Sequence, residues 1–413
     1  MLEKGSSAMT YYIIIAFCVV ILLAYFFDVT SRQTKIPGVL LLILTGMAIN
    51  SIDSYFNFEV SQIDVILPVM GTVGLILIVL EASLDLTLSK QKKSLILKSM
   101  SSAIVLFLVF TGLFALMLSY GLGYDVRTSL VNIIPVAVIS SAVAIPSAVG
   151  LSGNNREFVI YESSISDIFG ILAFNYVVIS NGHLFSGILN FLLEIIVTLF
   201  ASVLFSAFLA VILHKINHHV KYIIIMTAII LVYALSRLLH LPSLLVVLIF
   251  GLVMNNNNLF ENSITAQFIN FQDFNTELNA FKNITSEMTF IVRSFFFVLF
   301  GYYTSLFDLL NLNNLLFSVL IVAAIYALRA LYLKSIIRIS MTPLLYFAPR
   351  GLITILLFLS IPQAMALPYM NTGVVTQIIF ITILIMAYGN IVFGKTGEAI
   401  PTGTPQDKKN LSG

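Results

Sequence analysis

Tyr161-Glu162-Ser163-Ser164-Ile165-Ser166-Asp167-Ile168-Phe169-Gly170 places two carboxylates inside an apolar segment running over about residues 158 to 180, long enough to span a bilayer. Asp167 falls near the middle of that segment. An ionised group at that depth costs several kcal/mol on insertion scales, so an intramembrane acid points to function before it points to structure. The rest of the chain can be read as what makes the placement tolerable.

The surrounding sequence is that of a membrane protein. Of 413 residues 59% are hydrophobic and only 10% charged, an all-α polytopic composition and not a soluble one. A net charge of +2, with Lys and Arg in short clusters between apolar runs, argues against a nucleic-acid partner. Cys18 is the single cysteine, so no disulfide, CxxC pair or cysteine-based metal site can form. His214, His218 and His219 lack a spaced carboxylate or cysteine and do not read as a zinc site. No nucleophile–base or metal-ligand constellation suggests an enzyme, and no cofactor is expected.

Apolar runs of spanning or near-spanning length occur at about 11–27, 36–50, 65–84, 95–120, 130–152, 158–180, 185–213, 221–238, 241–254, 288–307, 315–339, 344–361 and 373–393. The expectation is about thirteen transmembrane helices. Basic residues test the orientation, because cytoplasmic loops hold the excess of Lys and Arg. Of the 21, Arg293, Arg329 and Arg350 fall inside spans, Lys4, Arg127 and Arg237 fall on one side, and the remaining 15 fall on the other. That alternation puts the N-terminus outside and the C-terminus inside.

Thirteen spans divide as six, one and six: a first repeat over 1–184, a linking helix over 185–219, a second, inverted repeat over 220–394, and a short cytoplasmic tail over 395–413. The fifth span of each set is interrupted by proline, at Pro146 (with Pro135 nearer its start) and at Pro349 before Arg350-Gly351. Paired interruptions of this kind mark an inverted-repeat transporter with its site where two broken helices cross. Between the ninth and tenth runs, Asn255 to Glu287 reads as a loop followed by an amphipathic helix on the cytoplasmic surface, with Phe268, Phe271, Phe274, Leu278 and Phe281 at helical spacing.

Helical phase separates the two acids. Five residues apart, Glu162 and Asp167 project roughly 140° from each other. Ser163, four before Asp167, shares its face, so a hydroxyl and a carboxylate can converge on one small cation. Glu162 must pair elsewhere. Arg329 sits near the centre of the eleventh span and stays protonated, so a buried Glu162–Arg329 pair is expected as a structural clamp. Arg350 supplies a fixed charge at the crossing or competes for Glu162. The competing reading of Asp167 is a second structural ion pair with one of these arginines. Glu81 reads as an interfacial anchor, and Arg293 as snorkelling to the surface. Nothing in the sequence says what holds Glu194.

On Glu162-Ser163-Ser164-Ile165-Ser166-Asp167, Arg329-Ala330-Leu331, Arg350-Gly351 and Leu80-Glu81-Ala82-Ser83-Leu84-Asp85-Leu86 the sequence resembles the monovalent cation:proton antiporters, in particular the sodium/proton exchanger branch. The resemblance implies a homodimer in a bacterial inner membrane serving pH homeostasis. It also implies a mobile core (about 95–180 and 314–393), with the remaining helices forming the dimer. In that reading Asp167 binds a monovalent cation or a proton, Ser163 is a co-ligand, and carbonyls around Ala144 to Pro146 complete the shell. Two positions depart from the family pattern: Ser166 stands for an Asn, and Ala144-Ile145-Pro146 for a Thr-Asp-Pro. Ser140, Ser141 or Ser147 could supply the missing oxygen. A K⁺/proton antiporter, a channel, a transport-inactive sensor and an organic-anion carrier are the competing readings.

Overall fold

Inside a bilayer every backbone amide and carbonyl must find a partner within the protein, which favours helices. The computed structural model of the chain is all-helical, without a strand among the described residues. These are residues 2–56, 63–87, 92–179, 188–215, 220–239, 241–256, 271–304, 306–338 and 341–393. The elements are α1 (Leu2–Thr34), α2 (Gly38–Phe56), α3 (Ile63–Asp85), α4 (Lys93–Leu122), α5 (Val126–Ala137), α6 (Ser141–Ser147), α7 (Gly153–Ile179), α8 (Ile188–Lys215), α9 (Lys221–Leu238), α10 (Ser243–Asn255), α11 (Phe271–Tyr303), α12 (Leu306–Leu309), α13 (Leu312–Tyr332), α14 (Leu352–Leu359) and α15 (Thr372–Phe393). Among the described residues eight stretches are long and apolar enough to cross a membrane, one of them the interrupted Val126–Gly150.

The helices pack in two groups. In one, α2 and α3 lie against α11, α10 joins α3 to α8, and α1 and α9 pack at the side. Small residues set the contact distances there: a Cβ on Gly46 would meet the Val298 carbonyl at 2.0 Å, and one on Gly301 the Ile43 carbonyl at 2.1 Å. Backbones approach this closely only where side chains are absent. In the other group α4 packs on α5, α7 and α13, and α15 packs on α13.

Two features differ from the sequence reading. The stretch before the tenth run is not a separate surface helix, because α11 is continuous over 33 residues. Phe274, Leu278 and Phe281 are buried, with Phe281 against the rings of Tyr222 and Phe250. The aromatic periodicity there signals packing against α9 and α10; Phe268 lies outside the described residues, as do His218 and His219. The second difference is the place of the break in the fifth run. Ala144-Ile145-Pro146 lies within α6, with the Ala144 carbonyl accepting from the Ala148 amide, and the chain is instead extended between α5 and α6 at 138–140. Val138 and Ser140 have φ/ψ of −74°/131° and −80°/116°. Proline is tolerated in short helical turns. What opens a helix at membrane depth is the supply of outside partners for the freed backbone groups, and β-branched Val138 and Ile139 lower the cost of leaving the helix.

Candidate functional site

The two breaks face each other. Ser140 N–H donates to the Pro349 carbonyl at 2.9 Å, joining 138–140 to the irregular stretch 347–351 that precedes α14. Gly351 allows this approach, since a Cβ there would fall 2.8 Å from Ser140 Oγ and 2.7 Å from Val143 Cγ2. Helix α7 runs past the crossing. Its Gly170 lies so close to the break that a Cβ would meet Val138 Cγ2 at 2.2 Å.

The partners of the freed backbone groups come from α7 and from Arg350. Ile139 N–H donates to Ser166 Oγ at 2.9 Å, and Ser141 N–H donates to Asp167 Oδ2 at 3.0 Å. Asp167 therefore caps the positive end of α6 from a neighbouring helix, where an anion is favoured. At the opposite end of the break, Arg350 donates from Nε to Val136 O at 2.7 Å and from Nη2 to Ala137 O at 3.1 Å. These are the last carbonyls of α5, and a cation is favoured at a helix C-terminus. Arg350 Nη1 also donates to Ala348 O at 2.7 Å, and its amide donates to Thr382 Oγ1 at 3.0 Å. Arg350 thus meets backbone carbonyls and not an acid, and does not compete for Glu162.

Glu162 and Arg329 meet end on. Arg329 donates from Nη1 and Nη2 to the two carboxylate oxygens of Glu162 at 2.7 Å each, with both residues 1% exposed. Ser102 Oγ donates to Glu162 Oε1 at 2.5 Å, and Arg329 Nε donates to Leu344 O at 3.0 Å. The pair links α4, α7, α13 and the 344–346 turn that leads into the second break.

The five residues expected around the ion are thus separated by the structure. Asp167 and Ser166 stand at the crossing, but Ser163 Oγ donates to Val159 O at 2.7 Å along its own helix. Ala144 and Pro146 lie beyond the break inside α6, with Pro146 exposed. Three buried atoms without a hydrogen-bond partner lie on the elements that meet here: Asp167 Oδ1, Ser140 Oγ and Ser164 Oγ. Ser164 is three residues before Asp167, on the same helical face by spacing, a signal that was available in the sequence. Ser102 and Thr382 carried no such signal, since each acts on a group distant in the chain.

Gly170→Ala tests how tightly the break is held. Overpacking of a buried site costs about 1–3 kcal/mol, so the variant should melt earlier in detergent. An unchanged melting temperature would show that Val138 can yield at no cost.

A family model described as sodium/hydrogen exchanger, transmembrane, matches residues 18–392. Among solved structures, one of the sodium proton antiporter MjNhaP1 from Methanocaldococcus jannaschii at pH 8 has a TM-score of 0.68 at 19% identity, covering 91% of this chain and 97% of that one. An electron-microscopy map of the same antiporter has a TM-score of 0.66 at 17% identity, covering 96% and 99%. At these identities the likeness is one of fold. No curated protein matches the sequence.

Proposed function

Since the chain belongs to the sodium/hydrogen exchanger family, we propose that it is a secondary active antiporter exchanging a monovalent cation, Na⁺ first among them, for protons by alternating access. It is a multi-pass membrane protein. The observation that carries the reading is the division of the Asp167 carboxylate: Oδ2 is held by Ser141 N–H and Oδ1 is buried without a partner. A carboxylate fixed through one oxygen presents the other to a cation or to a proton, and cannot hold both. If the core crosses the membrane only when Asp167 is occupied, the two ions exchange.

The Ser140 and Ser164 hydroxyls, also without partners, and the Ser141 hydroxyl beside the carboxylate are the candidates for the further oxygen ligands that small hard cations require. Ser166, which accepts from Ile139 N–H, holds the break. Ser140→Ala removes one oxygen and leaves the Ser140 N–H bond to Pro349 intact. It should raise the half-saturating Na⁺ concentration by about tenfold, since a polar contact to a charged group is worth about 1.5 kcal/mol or more, with the maximal rate little changed. A parallel loss of rate at saturating Na⁺ would place Ser140 in the scaffold instead.

Charge at the crossing supports one-for-one stoichiometry. Glu162 and Arg329 cancel, and Asp167 is the one acid held at the crossing to take either ion. Binding one proton or one Na⁺ brings the core to the same net charge, so exchange moves none. The remaining parts of the reading follow from the sequence and the family: about thirteen spans with the N-terminus outside, two inverted six-helix repeats, a homodimer, and a bacterial inner membrane. Within it the α4–α7 and α13–α15 group moves as the core.

The test is internal pH in proteoliposomes on addition of Na⁺, Li⁺ or K⁺, repeated under clamped voltage. Na⁺-driven proton movement insensitive to voltage is expected. A response to K⁺ alone would reassign the ion, strong voltage dependence would exclude one-for-one exchange, and current without proton movement would make the protein a channel.

A further inference from the structure

At the start of α4, an open groove of about 640 Å³ separates Lys93, Ser94, Leu97, Lys98 and Ser101 from Ile336 and Ile337. We propose that this groove holds the headgroup phosphate of an anionic phospholipid, with its acyl chains along the apolar flank. The site lies away from the ion crossing, and the proposal requires only that the chain is membrane-embedded.

Lys93 and Lys98 are exposed, and neither pairs with an acid among the described residues, whereas neighbouring Lys92 is held by Glu157 at 2.7 Å. The first turn of α4 contains no acid, and its N-cap makes no side-chain bond. The positive end of the helix therefore adds to the lysine charge. The facing wall is a π-helical segment, Leu333–Ile337, where α13 departs from regular geometry; π turns of this kind recur at functional sites. Lys334 lies in that segment and Arg338 follows it, both exposed.

Shape and depth select a lipid over a free anion. On α4, Leu97, Ser101 and Ser94 form a strip with Lys93 and Lys98 at its two edges, about 140° apart, so apolar and hydroxyl groups line the groove between two cations. Leu97 and Ile336 are 48% and 63% exposed. The Ser101 and Tyr332 hydroxyls bond to each other across the deep side, tying α4 to α13. Lys98 is one and a half turns inward from Lys93, about 7.5 Å along the axis. Long basic side chains at that level reach back to the headgroups and leave their stems against acyl chains. An inorganic phosphate would use the lysines only.

Native mass spectrometry of the purified protein with phosphatidylglycerol and phosphatidylcholine tests the assignment. One phosphatidylglycerol per chain should be retained in preference to phosphatidylcholine and should raise the melting temperature. Lys93→Gln with Lys98→Gln should weaken that binding about 30-fold, from the usual contribution of two basic residues at an anionic surface. Ser94→Trp, which keeps the charge and fills the groove, should abolish it. Wild-type phosphatidylglycerol affinity in the double variant would overturn the site. Equal thermal protection by millimolar inorganic phosphate would overturn the lipid as its occupant. The readout is binding, so it stands or falls separately from ion exchange.

Discussion

Asp167→Asn should abolish Na⁺-driven proton movement in proteoliposomes, to the level of liposomes without protein. The substitution keeps side-chain size and an oxygen that can accept from Ser141 N–H, so the link to α6 that the carboxylate makes at 3.0 Å survives. What disappears is the negative charge and the proton that exchanges with the cation. Loss of an anion at the α6 N-terminus costs about 0.3–1 kcal/mol, so the folded protein should melt close to the wild type. The two readouts therefore separate carrier from scaffold. A variant that folds and still exchanges at full rate would remove Asp167 from the mechanism. One that fails to fold would make it a structural cap, and Asp167→Glu would then distinguish a lost charge from a lost fit.

Glu162→Ala should act in the opposite sense, on stability first. It strands Arg329, a side chain 1% exposed, with the carbonyls of Leu344 and Phe347 as its remaining partners. Breaking a buried ion pair by removing one member costs about 3–5 kcal/mol. The melting temperature in detergent should fall by several degrees, and Arg329→Met should cost a similar amount. Combining Glu162→Gln with Arg329→Met should recover part of the loss, because no uncompensated charge is left behind. Additive losses in the double variant would show that the two groups contribute independently, and an unchanged melting temperature for Glu162→Ala would show that carbonyls alone suffice for Arg329.

The candidate site was legible wherever helical periodicity or charge balance governed it. Five residues of separation turn Glu162 and Asp167 to different faces whatever surrounds them. Arg329 meets Glu162 because a buried guanidinium and a buried carboxylate each lack a cheaper partner. Arg350 shows where that reasoning stops. By its sequence it is a free charge or a rival for Glu162, yet it lies on the carbonyls at the end of α5, groups that every residue carries and that no sequence distinguishes. Ser163 and Ser164 make the same point at smaller scale: spacing admits both to the Asp167 face, and only the surroundings decide that Ser163 bonds its own helix.

Membrane residence, the helical class, the apolar runs and the burial of opposed charges near Asp167 follow from composition and period, which are properties of the chain alone. The position of the break at 138–140, the union of the aromatic stretch with the tenth run in α11, and the choice of oxygens left open at Asp167 were decided by tertiary structure. Each depends on which backbone group finds which partner across the bundle: Ser166 and Asp167 for the amides entering α6, Arg350 for the carbonyls leaving α5, and Pro349 for Ser140 between them.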